Sequence, residues 1–277
     1  MTRVFVAALG LASLCTFSLS AQRRSAPPAK PAPKPPAPAA PAAPAPPRAE
    51  RAVPFHVGET LTYDVSWSAY VTAGTVVTTV KEKRPSFSST AYYIVAEGRP
   101  TPLVAKLYSL YYKLDTLLDS YTLLPQRGSV YSEEGKRHRF RTTRFDRGSR
   151  KAFFEYQTDS TVKSEFAVSP VVQDALSAIY VLRAIPFKGG DRMTMPVCDS
   201  GTNYKVTIDI AAAAERVRTP MGEMIAWKVR PTVVDDKNRP VGRNMAIWLS
   251  DDARRLPVKF QAELPVGTFN LILREAR

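Results

Sequence analysis

The sequence predicts a mainly β protein: a long antiparallel sheet, curled or drawn into an open β-barrel, wrapping one central α-helix. Three observations carry that expectation. Apolar and polar residues alternate with period two along most of the chain after residue 53, and turn-forming Gly, Pro and Asp residues interrupt the alternation at short intervals. A single segment has a strong helical period. About a dozen strands in one sheet must curl or split, and a helix laid against the curled inner face would fill it.

The alternation is plainest at four places. Leu61, Tyr63, Val65 and Trp67 point one way while Thr62, Asp64 and Ser66 point the other. Tyr204, Val206, Ile208 and Ile210 alternate with Lys205, Thr207 and Asp209, and Val258, Phe260, Ala262 and Leu264 with Lys259, Gln261 and Glu263. Phe269, Leu271 and Leu273 form the last such row. One covered and one wetter face is the mark of antiparallel strands. Further strands are expected over 74–83, 91–98, 108–118, 128–132, 137–145, 151–157, 162–167, 223–234 and 243–249.

The helix is read from Val172, Leu176, Ile179 and Leu182, joined by Ala175 and Arg183. Ser169 suits the N-cap and Pro170 the first helical position. Asp174 stands near the positive end of the helix and Arg183 near the negative one. Pro186 and Gly189-Gly190 stop it. A shorter helix is expected over 102–107.

The ends of the chain have a different character. Residues 1–21 read as a signal peptide: Arg3, an apolar stretch from Val4 to Leu14, and a small-residue cleavage region ending at Ala21. Cys15 follows Leu14 rather than a small residue, so lipidation is not expected. Residues 22–52 hold eleven of the 24 prolines and read as a disordered, basic Pro/Ala-rich linker in polyproline II. A single β-rich domain is expected over 53–277. No apolar run after the leader is long enough to span a membrane. With Cys15 removed, Cys198 has no disulfide partner, and its apolar neighbours Met195, Pro196 and Val197 mark it as a buried small hydrophobe.

Three blocks of the chain resemble one family. Phe55, then Gly58-Glu59-Thr60-Leu61-Thr62-Tyr63-Asp64-Val65-Ser66-Trp67 and Gly74, resembles the opening of an exported bacterial family called domain of unknown function 3108. The helix from Gln173 to Arg183 fits its central motif, and Trp248-Leu249-Ser250-Asp251-Asp252-Ala253-Arg254-Arg255-Leu256-Pro257-Val258 its C-terminal one. The resemblance implies a periplasmic or outer-membrane-associated protein of a Gram-negative-type bacterium. It also implies a distant, fold-level likeness to the open half-barrels of lipoprotein carriers and receptors. It supplies no catalytic residues.

The residues themselves point to no reaction. The two histidines, His56 and His138, stand in no metal-ligand spacing, and no Ser occupies a nucleophile elbow. Gly-rich phosphate loops are missing. Asp235-Asp236 and Asp251-Asp252 precede chain reversals and read as turn formers. No catalytic residue, metal or cofactor is expected. Glu59 is matched with Arg183 as an expected structural ion pair.

The charge balance says more. The chain carries a net charge of +14. Within it Lys136, Arg137, Arg139, Arg141, Arg144, Arg147, Arg150 and Lys151 are opposed by Asp146 alone. Arg137, Arg139 and Arg141 share one face of a strand. With Arg144 they are the expected contacts to an anionic surface: lipid head groups or lipopolysaccharide. A solvated face, or a charged edge that blocks strand-to-strand aggregation, accounts for the same stripe. Nucleic acid is not an expected partner, given the export signal. Tyr63, Trp67, Tyr93, Tyr111, Leu176 and Ile179 are the expected lining of a cavity.

The leading expectation is therefore a non-enzymatic envelope protein that binds a lipid-like or amphiphilic molecule in its concave sheet. A scaffold module that binds an envelope protein is the first alternative, and an envelope hydrolase the second.

Overall fold

The computed structural model describes residues 49–67, 71–107, 109–264 and 267–277, so the expected leader and nearly all of the expected linker lie outside the described residues. Seven strands and a short helix lead up to an edge strand. They are β1 (Thr60–Trp67), β2 (Val71–Ser86), β3 (Ser89–Pro100), α1 (Pro102–Leu107), β4 (Leu110–Asp119), β5 (Pro125–Glu134), β6 (Arg137–Asp146) and β7 (Lys151–Gln157), then β8 (Thr161–Ala167). Helix α2 (Ala175–Ala184) then crosses. The chain returns as β9 (Arg192–Asp199), β10 (Thr202–Ile210), β11 (Glu215–Thr219), β12 (Gly222–Asp235), β13 (Arg243–Ser250), β14 (Pro257–Leu264) and β15 (Gly267–Ala276).

These fifteen strands form one antiparallel sheet in the order β8-β7-β6-β5-β4-β3-β2-β1-β15-β14-β13-β12-β10-β9, with β11 paired to β12 off that path. Two meanders are thus joined where β15 pairs with β1. Two strands escape the sequence reading. β9 is interrupted by Pro196, which a sheet tolerates on an edge strand. β11, Glu-Arg-Val-Arg-Thr, has one buried residue, Val217, and no apolar row to announce it.

Among the described residues no ladder joins the edges β8 and β9, so the sheet does not close. Other contacts bridge the gap. The segment before α2 runs beside β9, where the Gln173 N–H donates to the Pro196 carbonyl (2.9 Å) and the Cys198 N–H to the Gln173 carbonyl (2.7 Å). The Asn203 side-chain amide donates to the Ala167 carbonyl (2.9 Å). The β9–β10 turn packs under β7: a Cβ at Gly201 would stand 2.9 Å from the Phe154 ring.

This pairing with β9 also moves the start of the helix. α2 begins at Ala175, and Asp174, not Ser169, is its N-cap. The Ser177 N–H donates to Asp174 Oδ1 (2.7 Å) and the Asp174 N–H to Ser177 Oγ (2.9 Å), a capping box. Residues 169–173 stay outside the helix because Gln173 spends its backbone groups on β9.

α2 lies on the concave face. Its Leu176, Tyr180, Val181 and Leu182 join Phe55, Val80, Tyr92, Ile94 and Leu118 on one side and Met195, Val197, Ile208, Val229 and Leu249 on the other. A second cluster holds the β11–β12 hairpin to β13, β14, β15 and β1 through Val217, Ala226, Trp248, Val258 and Leu273. There the Trp248 indole N–H donates to Glu215 (2.5 Å). A third, smaller cluster packs Phe145 and Ala152 on Val168, Val172 and Cys198. The fastened chain begins before Val53. The Glu50 carboxylate bonds Lys83 and Ser120, and the Arg51 N–H donates to the Ser120 carbonyl.

One ion pair sits at the closed end. Gly58, at a φ of 92°, turns the chain into β1, and Glu59 follows it inward. Arg183 meets Glu59 with both terminal guanidinium nitrogens, Nη1 and Nη2, at 2.7 and 2.8 Å, and the pair is all but fully buried. Arg183 also donates to the Arg254 carbonyl (3.1 Å), and its guanidinium lies over the Phe55 and Tyr180 rings.

These buried charges set the response to mutation and to pH. Glu59→Leu and Arg183→Met each strand one buried charge and should cost about 3–5 kcal/mol in chemical denaturation. The double variant should cost clearly less than the sum, because neither charge is then left alone; additive losses would show that the pair is not coupled. Asp174 is the second case. Burial pushes its carboxyl from 3.8 up to about 6, against the opposing bonds from Ser177 and Thr116. A carboxyl raised on folding favours the fold most below its unfolded value, and that contribution, about 3 kcal/mol, is lost as pH rises through 6. Asp174→Asn keeps a capping oxygen. Its melting temperature should therefore gain on that of the wild type from about pH 4 to about pH 7, and a constant difference would contradict the shift.

Candidate functional site

Strand parity decides which side chains face α2. Thr116 of β4 donates to Asp174 Oδ2 at 2.5 Å, so Tyr112, Leu114 and Thr116 mark the concave side of β4. The register from β4 through β5 to β6 is unbroken here, and Leu114, Val130 and Arg141 stand in one row. Arg139 lies opposite Ser132 and Arg137 opposite Glu134 on the same face. Arg137, Arg139 and Arg141 therefore share one face, as the alternation predicts, and pairing makes that face the concave one.

Arg144 is not. The step from Arg141 to Arg144 is odd, which puts Arg144 on the convex face, exposed, 4.4 Å from the Phe153 ring centroid. The expected group of four is thus split. The edge-protection account of the stripe also fails, because β6 lies between β5 and β7. The edge strand is β8, and its Lys163 and Glu165 pair with Glu155 and Lys151 of β7.

The concave arginines belong to a polar network. Arg139 bonds Glu134 at 2.9 Å, and Glu134 also accepts from the Tyr112 hydroxyl. Burial, then that bond to Glu134, pushes the Tyr112 hydroxyl up to about 12. Arg141 lies 5.3 Å from the Tyr156 ring centroid. Burial raises the Asp199 carboxyl, and the nearby Arg141 guanidinium opposes that rise. Arg137 is exposed at the start of β6.

The expected cavity lining is divided in the same way. Tyr63 is on the concave side and fully buried, edge-on to Phe260 at 5.6 Å. Leu176 is taken up in the core beneath α2, whereas Ile179 is half-buried. Tyr93 and Tyr111 face the other way. Each is one residue out of step with Ile94 and Tyr112, and on the convex side each lies under an arginine, Arg84 and Arg99 respectively. Trp67 pairs with Phe269 of β15, and its side chain lies outside the described residues.

What remains of the concave face is uneven. Beside Asp174, Leu176 and Arg141 the enclosed space is about 20 Å³, room for one water. On the opposite wall an open apolar hollow of about 190 Å³ is lined by Pro231, Met245, Ile247, Phe260, Phe269 and Leu271. Register puts Ile247, Phe260 and Leu271 side by side across β13, β14 and β15. Sequence reasoning assigned these residues to strands but not to a site. The usable signal is that three neighbouring strands each carry a large apolar residue at positions that pairing, not spacing, brings abreast.

The reactive groups stand apart from this hollow. Cys198 is buried, and burial pushes its thiol up to about 12. His56 is exposed beside Phe55, and His138 contacts the Tyr131 hydroxyl on β5 at 3.2 Å. The Asp pairs act as the turns predicted: Asp235 accepts from the Lys237 and Arg239 N–H groups, and Asp252 from those of Arg254 and Arg255. Among the described residues no helix is long and apolar enough to cross a membrane.

No curated protein matches the chain. A β-barrel-like protein of the domain of unknown function DUF1849 from Brucella abortus has a similar crystal structure, with a TM-score of 0.50 at 12% identity over 79% of this chain and 97% of that one. At that identity the likeness is one of fold alone. A protein with a YmcC-like fold from Bacteroides fragilis matches at a TM-score of 0.33 and 12% identity, over 83% of this chain and 100% of that one. The profile of the family described as protein of unknown function (DUF3108) matches residues 62–274. The chain belongs to that family.

Proposed function

We propose that this DUF3108 protein is an exported, non-catalytic protein of the bacterial cell envelope whose concave face binds a lipid-like amphiphile. One observation carries the reading: a single concave surface, closed at one end by α2, bears an apolar hollow on β12–β15 and a cationic wall on β6. Acyl methylenes laid over Ile247, Phe260 and Leu271 leave water, at about 0.8 kcal/mol for each one buried. An anionic head group would meet Arg137 and the partly neutralised Arg139 and Arg141. The leader-like residues 1–21 support export, with the periplasm or outer-membrane surface as the place of action. The proton-holding thiol of Cys198 and the separate settings of His56 and His138 support a binding rather than a catalytic role.

Native mass spectrometry of protein drawn from an envelope fraction should show a bound lipid that Met245→Glu, a charge placed in the hollow, removes. Protein that arrives empty overturns the reading. Exchanging Arg137, Arg139 and Arg141 together for Ser should weaken binding to anionic vesicles at low salt by about tenfold or more, since each charge near such a surface contributes about 1 kcal/mol. Arg144→Ser, on the convex face, should leave it unchanged. A loss in Arg144→Ser equal, charge for charge, to that of the triple variant would mean that binding follows net charge and not the concave wall.

A further inference from the structure

The free edge of the sheet carries an address of its own. β8 pairs with β7 from Lys151↔Ala167 to Gln157↔Thr161. Beyond the two ends of that ladder the Val168 N–H donates to the Arg150 carbonyl and the Thr158 N–H to the Ser160 carbonyl. Antiparallel pairs alternate between bonded and non-bonded. The groups of β8 that bond β7 are therefore those of Val162, Ser164 and Phe166. The backbone N–H and C=O of Thr161, Lys163, Glu165 and Ala167 point away from the sheet. Asn203 takes the Ala167 carbonyl. Thr161, Lys163 and Glu165 remain, all three exposed, next to a Val162 that is 54% exposed.

We propose that this edge pairs with the β8 edge of a second copy of the chain, antiparallel, about a two-fold axis through Ser164. The outward groups require pairing between odd-numbered residues, which leaves few registers. A two-fold at Lys163 sets Lys163 against itself, and one at Glu165 sets Glu165 against itself; like charges opposite one another destabilise a ladder. A two-fold at Val162 carries Glu165 past the end of the strand, against Asp159, which is again a like charge. The two-fold at Ser164 places Lys163 opposite Glu165 of the second copy and Glu165 opposite its Lys163. Both are bonded pairs on the convex face. The same register sets Val162 across from Phe166 on the concave face. The ladder Lys151–Glu165 and Glu155–Lys163 within one chain then continues with alternating sign into the next. Charges on an edge ordinarily discourage pairing. Here they favour the register at Ser164 over its three neighbours, and the interface is isologous, as a closed dimer requires.

Sedimentation velocity over a dilution series tests this directly. The wild type should show a monomer–dimer equilibrium. Lys163→Glu and Glu165→Lys should each weaken it by about tenfold or more, since each puts two like pairs in the ladder. The fourfold exchange Lys163→Glu, Glu165→Lys, Lys151→Glu and Glu155→Lys, which keeps opposite charges both within each chain and across the dimer, should restore it. In hydrogen exchange the Thr161, Lys163 and Glu165 amides should gain protection as concentration rises. A wild type that stays monomeric with those amides unprotected, single variants that dimerise like the wild type, or a fourfold exchange that fails to restore dimers would each overturn the proposal.

Discussion

Arg183 and Glu59 meet in a place from which water is shut out, and much of the molecule is arranged around that constraint. A guanidinium moved out of water needs a carboxylate and further acceptors, or its burial cost is not offset. Glu59 comes from the start of β1, Arg183 from the last turn of α2, and the third acceptor, the Arg254 carbonyl, from the turn between β13 and β14. Those are the three stretches in which the sequence resembles its family. They lie far apart along the chain and converge on one side chain. The two-pronged contact fixes the angle of α2 as well as its position, because a planar guanidinium meets a carboxylate in one orientation. Phe55 and Tyr180 close over it.

The position of α2 determines what is left for a ligand. The helix fills the closed end of the curled sheet down to a space for one water, and it stops short of the strands' far ends. There the concave face keeps two walls of opposite character. Ile247, Phe260 and Leu271 are apolar and only half-buried, and Tyr112, Glu134 and Arg139 are polar and bonded to one another, with Arg141 beside them. The helix is ten residues long. Asp174 sets that limit at its N-terminal end, and Gln173, bonded to β9, keeps the preceding residues out of the helix.

The open seam between β8 and β9 follows from the same crossing. The chain leaves the sheet at β8 and re-enters at β9 by way of α2, so the two edge strands are never adjacent in the meander. β9 is partly satisfied by Gln173, and Pro196 removes one donor from it in any case. Among the described residues β8 has no such cover along Thr161, Lys163 and Glu165. Of the two ends of the main strand path, β8 is the one left open along these residues.

Thirteen of the fifteen strands, the central helix, the short helix and the turn role of the Asp pairs are legible in the amino-acid sequence, because alternation, helical period and Asx turns are local properties of the chain. So is the shared face of Arg137, Arg139 and Arg141, which needs only period two. The sequence by itself thus determined a β-rich fold with one interior helix and a family membership. Which face is concave is not a local property. Tyr93 and Tyr111 look like cavity aromatics until pairing across β3, β4 and β5 turns them outward, and Arg144 parts from its neighbours on the same one-residue rule. The hollow at Ile247, Phe260 and Leu271 exists only because three strands are brought abreast. β9 and the true start of α2 were decided by a backbone pairing between Gln173 and Val197. Only the tertiary structure settled these points, since register between strands is set by packing across the sheet and leaves no mark on any single strand.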